Sequence, residues 1–193
     1  MQTEIEAKFI DVDKDEIIKK IKDSGGVLVR EEYIQKKYNF HLPGDKRSIN
    51  SWLRVRDEGD KITLSLKMIL GGEITDQKET TLTIDNFDQA VSLLEDIGCE
   101  RKALQESKRE LWRIDDADIT IDTWPALNTF VEIEAPSEES VKKVSAQLGF
   151  DFSTAIFGGV GKLYKMKYGK YLDEIEKEYG DITFSNEKLL NIA

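Results

Sequence analysis

Residues 3–9 read TEIEAKF, with Glu4, Glu6 and Lys8 alternating with Ile5, Ala7 and Phe9. A period of two is the mark of a strand with one apolar and one polar face. Two carboxylates and an ammonium on a face that meets water need no explanation. On a face that looks into an interior they need one another, or a ligand. Which of these holds decides between an open sheet and a closed one.

The same alternation recurs along the chain. Residues 3–9, 29–42, 52–58, 61–68, 74–84, 103–114, 117–124 and 129–135 read as eight strands. DEGD at 57–60 and DDAD at 115–118 are short turns that make their flanking strands antiparallel. Three amphipathic helices punctuate the strands. The first runs from Asp13, spaced from Glu16 as a capping box, through Ile17, Ile18 and Ile21 to Gly25 and Gly26. The second spans Asp85 to Gly98 and the third Ser137 to Gly149. A helix ending in Gly and followed by long strands occurs after residue 26 and again after residue 98, which suggests a weak internal duplication.

Every strand carries a greasy face, with pairs such as Leu53 and Val55, Leu64 and Leu66, Ile119 and Ile121, or Val131 and Ile133. The helices need that face, so the charged one is either the solvent side of an open sheet or the lining of a closed one. Closure removes exposed edges, and eight antiparallel strands suffice for it. The expected fold is therefore α+β, an eight-stranded closed antiparallel β-barrel or tunnel with the helices outside. Residues 1–168 would form this domain and 169–193 an extension. The charged set is five cations, Lys8, Arg54, Arg56, Lys67 and Arg109, and six carboxylates, Glu4, Glu6, Glu79, Asp122, Glu132 and Glu134. Carboxylate oxygens suit Mg²⁺ or Mn²⁺, and arginine forks suit phosphate oxygens.

Composition narrows the classes. The chain of 193 residues is 34% charged with a formal net charge of −10, which argues against a nucleic-acid duplex as partner. Cys99 is the single cysteine, so neither an intramolecular disulfide nor a thiolate cluster is available. No apolar run approaches the roughly 20 residues that span a bilayer, and a cytoplasmic location with no membrane partner is expected.

The ordered set of ExExK (Glu4, Glu6, Lys8), LRVR (Arg54, Arg56), SLK (Lys67), Glu79, KRELW (Arg109), ITID (Asp122) and FVEIEAP (Glu132, Glu134) resembles the CYTH superfamily, the triphosphate tunnel metalloenzymes. The resemblance implies a tunnel that binds a triphosphate and divalent metal, Mg²⁺ or Mn²⁺. It implies that Lys8, Arg54, Arg56, Lys67 and Arg109 bind phosphate and that Glu4, Glu6, Glu132 and Glu134 hold metal. Lys8, Glu79 and Asp122 would be the catalytic residues, the two acids orienting cations or metal-bound water. Many members of the family carry Lys-x-Arg on the sixth strand, whereas Ser107 stands two before Arg109 here. Lys102 and Lys162 are candidates to replace the missing cation.

Two chemistries fit such a site. Hydrolysis of the terminal phosphoanhydride of tripolyphosphate, thiamine triphosphate or another organic triphosphate is favoured, because a full carboxylate set can hold a second metal beside the attacking water. The alternative is a class IV adenylyl cyclase that converts ATP to cyclic AMP and pyrophosphate. A third reading is a binding module for polyphosphate or nucleotide without turnover, against which the intact Glu-x-Glu pairs argue. Other features carry less. GGVGK at 158–162 lacks the spacing of a phosphate loop. His41 reads as a surface or turn residue, Trp52, Trp112 and Trp124 as packing residues, Cys99 as an inert, partly buried thiol and EIEKEYGD from 174 as a solvated helix or tail. PGDKRSINS at 43–51 is a candidate basic rim.

Overall fold

The computed structural model describes residues 1–44 and 50–192. Residues 45–49, the middle of the candidate basic rim, lie outside the described residues. In chain order the elements are β1 (Gln2–Glu4), β2 (Glu6–Phe9), α1 (Lys14–Asp23), β3 (Val27–His41), β4 (Ser51–Asp57), β5 (Ile62–Ile69), β6 (Gln77–Ile84) and α2 (Phe87–Asp96). There follow β7 (Glu100–Ile114), β8 (Ala117–Thr123), β9 (Phe130–Glu134), α3 (Glu138–Gln147), α4 (Gly161–Tyr168), α5 (Leu172–Tyr179) and α6 (Glu187–Leu190).

The strands form one antiparallel sheet in the order β1-β6-β5-β4-β3-β7-β8-β9-β2. Its two outermost strands are neighbours in sequence, and that closes the sheet on itself. The stretch 3–9, expected as one strand, divides at Ile5. Gln2 to Glu4 pair with β6 and Glu6 to Phe9 with β9, while the Ile5 carbonyl accepts from the Ala135 amide at 3.1 Å. The count is thus nine rather than eight, because one strand near its middle changes partner to seal the seam. Beyond the seam Lys8 pairs with Ile156, each amide donating to the other's carbonyl at 3.0 Å. The suggested duplication has a structural counterpart. Each of the helices α1 and α2 leads into a 15-residue strand, and these two strands, β3 and β7, lie side by side at the middle of the sheet.

The outer faces carry the helices. Ile17 and Ile21 of α1 and Val141, Val144 and Leu148 of and after α3 are buried with Ala7, Phe9, Trp112, Ile119, Ile121, Val131 and Ile133. On the other half Val91 and Leu94 of α2 meet Phe40, Val55 and Cys99. Each such aliphatic side chain removed from water is worth about 1.5–3 kcal/mol. The helices start where the sequence places caps: Asp13, Asn86 and Ser137 accept from the amides three residues on. Asn86, not Asp85, caps α2. Gly26 follows α1 because a Cβ there would lie 2.4 Å from Ile21 Cγ2.

After α3, Phe150, Phe152 and Phe157 lie against the core under α1 and α3, and the helices that follow fold onto the barrel beside Trp124 and Phe130. Leu163 and Tyr164 of α4, Ile175 of α5, Ile182 and Leu189 are buried with Trp124 and Phe130. Ile182 is tied in by backbone, donating to the Leu104 carbonyl and accepting from the Glu106 amide, both at 2.8 Å. No helix among the described residues is long and apolar enough to cross a membrane.

Candidate active site in the barrel lumen

The registers put all eleven charged candidates on one face. Lys8 lies opposite Glu132 and Glu6 opposite Glu134; Arg109 lies opposite Asp122 and Lys67 opposite Glu79. Contacts that skip a strand show this face to be the concave one. Arg54 on β4 reaches across β5 to Glu79 at 2.9 Å. Lys67 on β5 reaches across β6 to Glu4 at 2.8 Å, and Arg109 on β7 reaches across β8 to Glu132 at 3.5 Å. Gln77 on β6 donates across the seam to Glu6 at 2.7 Å. The charges therefore line the barrel's interior.

Their pairing falls into three groups. In the first, Lys8 sits between Glu6 at 2.5 Å and Glu132 at 2.8 Å. Burial opposes its charge, but these two carboxylates hold the ammonium above its ordinary range. In the second, Asp122 grips Arg109 with both oxygens, at 2.8 and 2.7 Å, and accepts from Thr120 at 3.0 Å. In the third, Glu79 bridges Arg54 and Lys67. Burial opposes ionisation of Glu79, yet its bond with Glu4 and the fields of Arg54 and Lys67 hold it below the carboxylate range. Glu4 goes the other way, pushed up by burial and by sharing a hydrogen bond with Glu79. Their shared surroundings thus push the two carboxyls in opposite directions.

Two features mark a site built for ions that are not protein. The Nε atoms of Arg54 and Arg56 are buried and lack a hydrogen-bond partner among the described residues, although a buried charged donor without an acceptor is costly. Arg56 is pushed down to about 10 by burial and the field of Arg54, against the pull of Glu58. On the opposite wall Glu6 and Glu132 flank Lys8, and Glu134 stands opposite Glu6 on the neighbouring strand. Glu134 is pushed up to about 7, first by burial of its carboxyl and then by Glu132 and Glu6. Its residue stands exposed at the rim, so water screens part of this. Among the described residues no three acid, histidine or cysteine side chains converge as a ready-made cage, because Lys8 and Lys67 draw Glu6, Glu132 and Glu4 into pairs. An all-oxygen wall of this kind fits Mg²⁺ or Mn²⁺, which take one or two carboxylates and complete their shell with water and phosphate.

The sequence pattern of the CYTH domain matches residues 2–151. The chain belongs to the CYTH family. Among solved structures the CYTH barrel is similar to a Vibrio parahaemolyticus protein described as a putative adenylate cyclase, with 17% identity, 85% of this chain and 98% of that one covered, and a TM-score of 0.70. A Pyrococcus horikoshii protein matches at 21% identity, 79% and 93% coverage and 0.67. A Hippeastrum protein, described as a putative adenylyl cyclase with a dominant triphosphatase activity, matches at 18% identity, 89% and 98% coverage and 0.59. No curated protein matches the chain.

The CYTH lumen also holds residues that the sequence reading passed over. Lys37 on β3 points inward beside Arg56, its Nζ 3.5 Å from Ser107 Oγ and 3.9 Å from the centre of the Trp124 ring. Glu58, taken as part of a hairpin turn, is buried and accepts Arg56 at 2.6 Å. Gln35, Ser65, Gln77, Gln105 and Ser107 add buried neutral groups. The two lysines expected to make good the absence of Lys at 107 do not sit beside it. Lys102 is held by Asp173 at 2.5 Å and lies 3.9 Å from Glu176, and Lys162 is exposed on α4. Trp124 is not only a packing residue, since its ring carries Lys37. The surface hollow of about 510 Å³ bordered by Ile18, Lys22, Leu28 and Trp112 lies outside the barrel and includes none of the eleven charges.

Proposed function

We propose that this CYTH protein is a divalent-metal-dependent hydrolase of the terminal phosphoanhydride of a small triphosphate. The observation that carries the reading is the pair of buried, unsatisfied Arg54 and Arg56 Nε donors facing a lumen whose other wall carries Glu6, Glu132 and Glu134 on the paired strands β2 and β9. A polyanion supplies acceptors to the first wall, and a hard cation relieves the second. Tripolyphosphate, thiamine triphosphate and ATP all carry the required group.

In this reading the Arg54 and Arg56 forks bind phosphate oxygens by paired bonds. Lys67, Lys8 and Arg109 add charge along the chain of phosphates. A unit-charge contact at 4 Å is worth about 4 kcal/mol at an effective dielectric near 20, so several such groups can hold an anion inside a protein. Glu79 and Asp122 act through their partners: Glu79 fixes Arg54 and Lys67, and Asp122 fixes the plane of Arg109. This fixed array stabilises the charge of phosphoryl transfer without a protein nucleophile. Glu6, Glu132 and Glu134, with Glu4 beside them, would hold the divalent ion, which when bound polarises phosphoryl oxygens and provides an activated water.

Both hydrolysis and cyclisation are named among the proteins that share this fold, so the fold does not choose between them. The carboxylate-rich wall favours water as the attacking group. Incubation with Mg²⁺ or Mn²⁺ and each of tripolyphosphate, thiamine triphosphate and ATP tests the choice. Orthophosphate release supports the proposal. Cyclic AMP and pyrophosphate from ATP replace it by the cyclase reading, and tight binding with no product replaces it by a binding module.

A further inference from the structure

The cations Lys8, Arg54, Arg56, Lys67 and Arg109 each have a carboxylate within 4 Å. Lys37 has none among the described residues. Its neighbours are a hydroxyl, Ser107 Oγ at 3.5 Å, and an aromatic face, Trp124 at 3.9 Å. Ser107 is itself committed, donating to Gln35 at 3.2 Å. The residue is 6% exposed, and burial together with the fields of Arg54, Arg56 and Arg109, against the weaker pull of Asp122, disfavours its charged form. An ammonium in such a place is costly unless an anion arrives. Cation–π contact with an indole is a partial substitute.

The position is informative. Lys37 lies directly opposite Arg56 on β4, and its side chain meets Ser107, two residues before Arg109 on β7. It thus brings an amine from the neighbouring strand to the point where Lys-x-Arg on β7 would have placed one.

We propose that Lys37 is an anion-binding residue of this lumen, leaving the Trp124 ring to meet a phosphate oxygen of the bound triphosphate and supplying from β3 the cation that Ser107 does not. The proposal rests on the triphosphate reading above.

Wild type, Lys37→Met, Lys37→Gln and the double variant Lys37→Met with Ser107→Lys are compared by calorimetric titration with tripolyphosphate and Mg²⁺. KM for its turnover and the melting temperature without ligand are measured alongside. Loss of one charge-assisted bond weakens binding about ten- to hundredfold in both single variants. Without ligand, Lys37→Met melts at or above wild type, because an apolar side chain replaces a buried amine that has no carboxylate partner. Returning the amine from β7 in the double variant restores most of the affinity. Lys37→Gln keeps a hydrogen-bonding end for Ser107 and guards against a packing failure of the Met variant. Binding within about twofold of wild type in both single variants overturns the proposal alone. So does weaker binding that tracks a fall in ligand-free stability and is not restored by Ser107→Lys. A wild type that binds no tripolyphosphate overturns the triphosphate reading and this proposal with it.

Discussion

Arg109 and Asp122 offer a measure of how dry the lumen is. Asp122 is 1% exposed and depends on Arg109 for two charge-assisted hydrogen bonds at 2.8 and 2.7 Å, with Thr120 as its other partner. Replacing Arg109 by Met removes both bonds and leaves a buried carboxylate with no counter-charge at bonding distance. Breaking one partner of a buried pair costs about 3–5 kcal/mol. At about 2–4 °C per kcal/mol for a chain of this size, the melting temperature should fall by roughly 6–20 °C. Asp122→Asn strands the guanidinium instead, but Arg109 keeps Glu132 at 3.5 Å, so the loss should be smaller. In the double variant neither charge is stranded, and it should recover a large part of the Arg109→Met loss, with a coupling energy of about 1–3 kcal/mol. Urea denaturation of the four proteins at pH 7 reads these values directly. An Arg109→Met loss below about 1 kcal/mol would show that Asp122 is solvated, and the reasoning from an enclosed, water-poor lumen would fail.

Other consequences concern the C-terminal segment, pH and the arginine fork. Ile182→Ala, at a fully buried site in the C-terminal segment, should cost about 2–5 kcal/mol in chemical denaturation; a loss under about 0.5 kcal/mol would mean that the segment contributes little to the folded barrel. Glu134 retains its proton in the folded chain at pH values where the unfolded chain, near 4.5, has lost it. Folding is therefore favoured by this group at low pH, and its contribution is lost as pH rises from about 4.5 to about 7. Glu134→Gln should flatten that part of the chelator-treated protein's melting curve against pH, and an unchanged slope would contradict the assignment. Arg56→Lys keeps the charge but loses the fork, and should raise KM for the triphosphate about tenfold with folding intact.

How much was legible depended on whether local pattern sufficed. Glu4, Glu6 and Lys8, or Arg54 and Arg56, sit on short strands where strict alternation states the face, and the structure gathers them as that parity requires. Ile5 did not announce that its strand changes partner there, since the seam depends on the length of the whole circuit. Lys37 was hidden for a local reason. It adjoins Lys36, so the doublet offers one lysine to either face, and β3 shifts register at Leu28/Arg30, Arg30/Tyr33 and Tyr38/Phe40. Each irregularity breaks the period of two on which a face is read. Ile182 was hidden because its partners, Leu104 and Glu106, are remote in sequence and joined to it only by folding. Glu58 looked like a turn residue and is one, but Arg56 draws its carboxylate into the interior.

A crystal structure with Mn²⁺ and tripolyphosphate, using the anomalous signal of the metal, addresses the lumen most directly. The account predicts phosphate oxygens at hydrogen-bond distance from the Arg54 and Arg56 Nε atoms, and an anomalous peak against Glu6, Glu132 or Glu134. Anion and metal bound only on the outer surface, with the pairs of Lys8, Arg109 and Lys67 undisturbed, would contradict it.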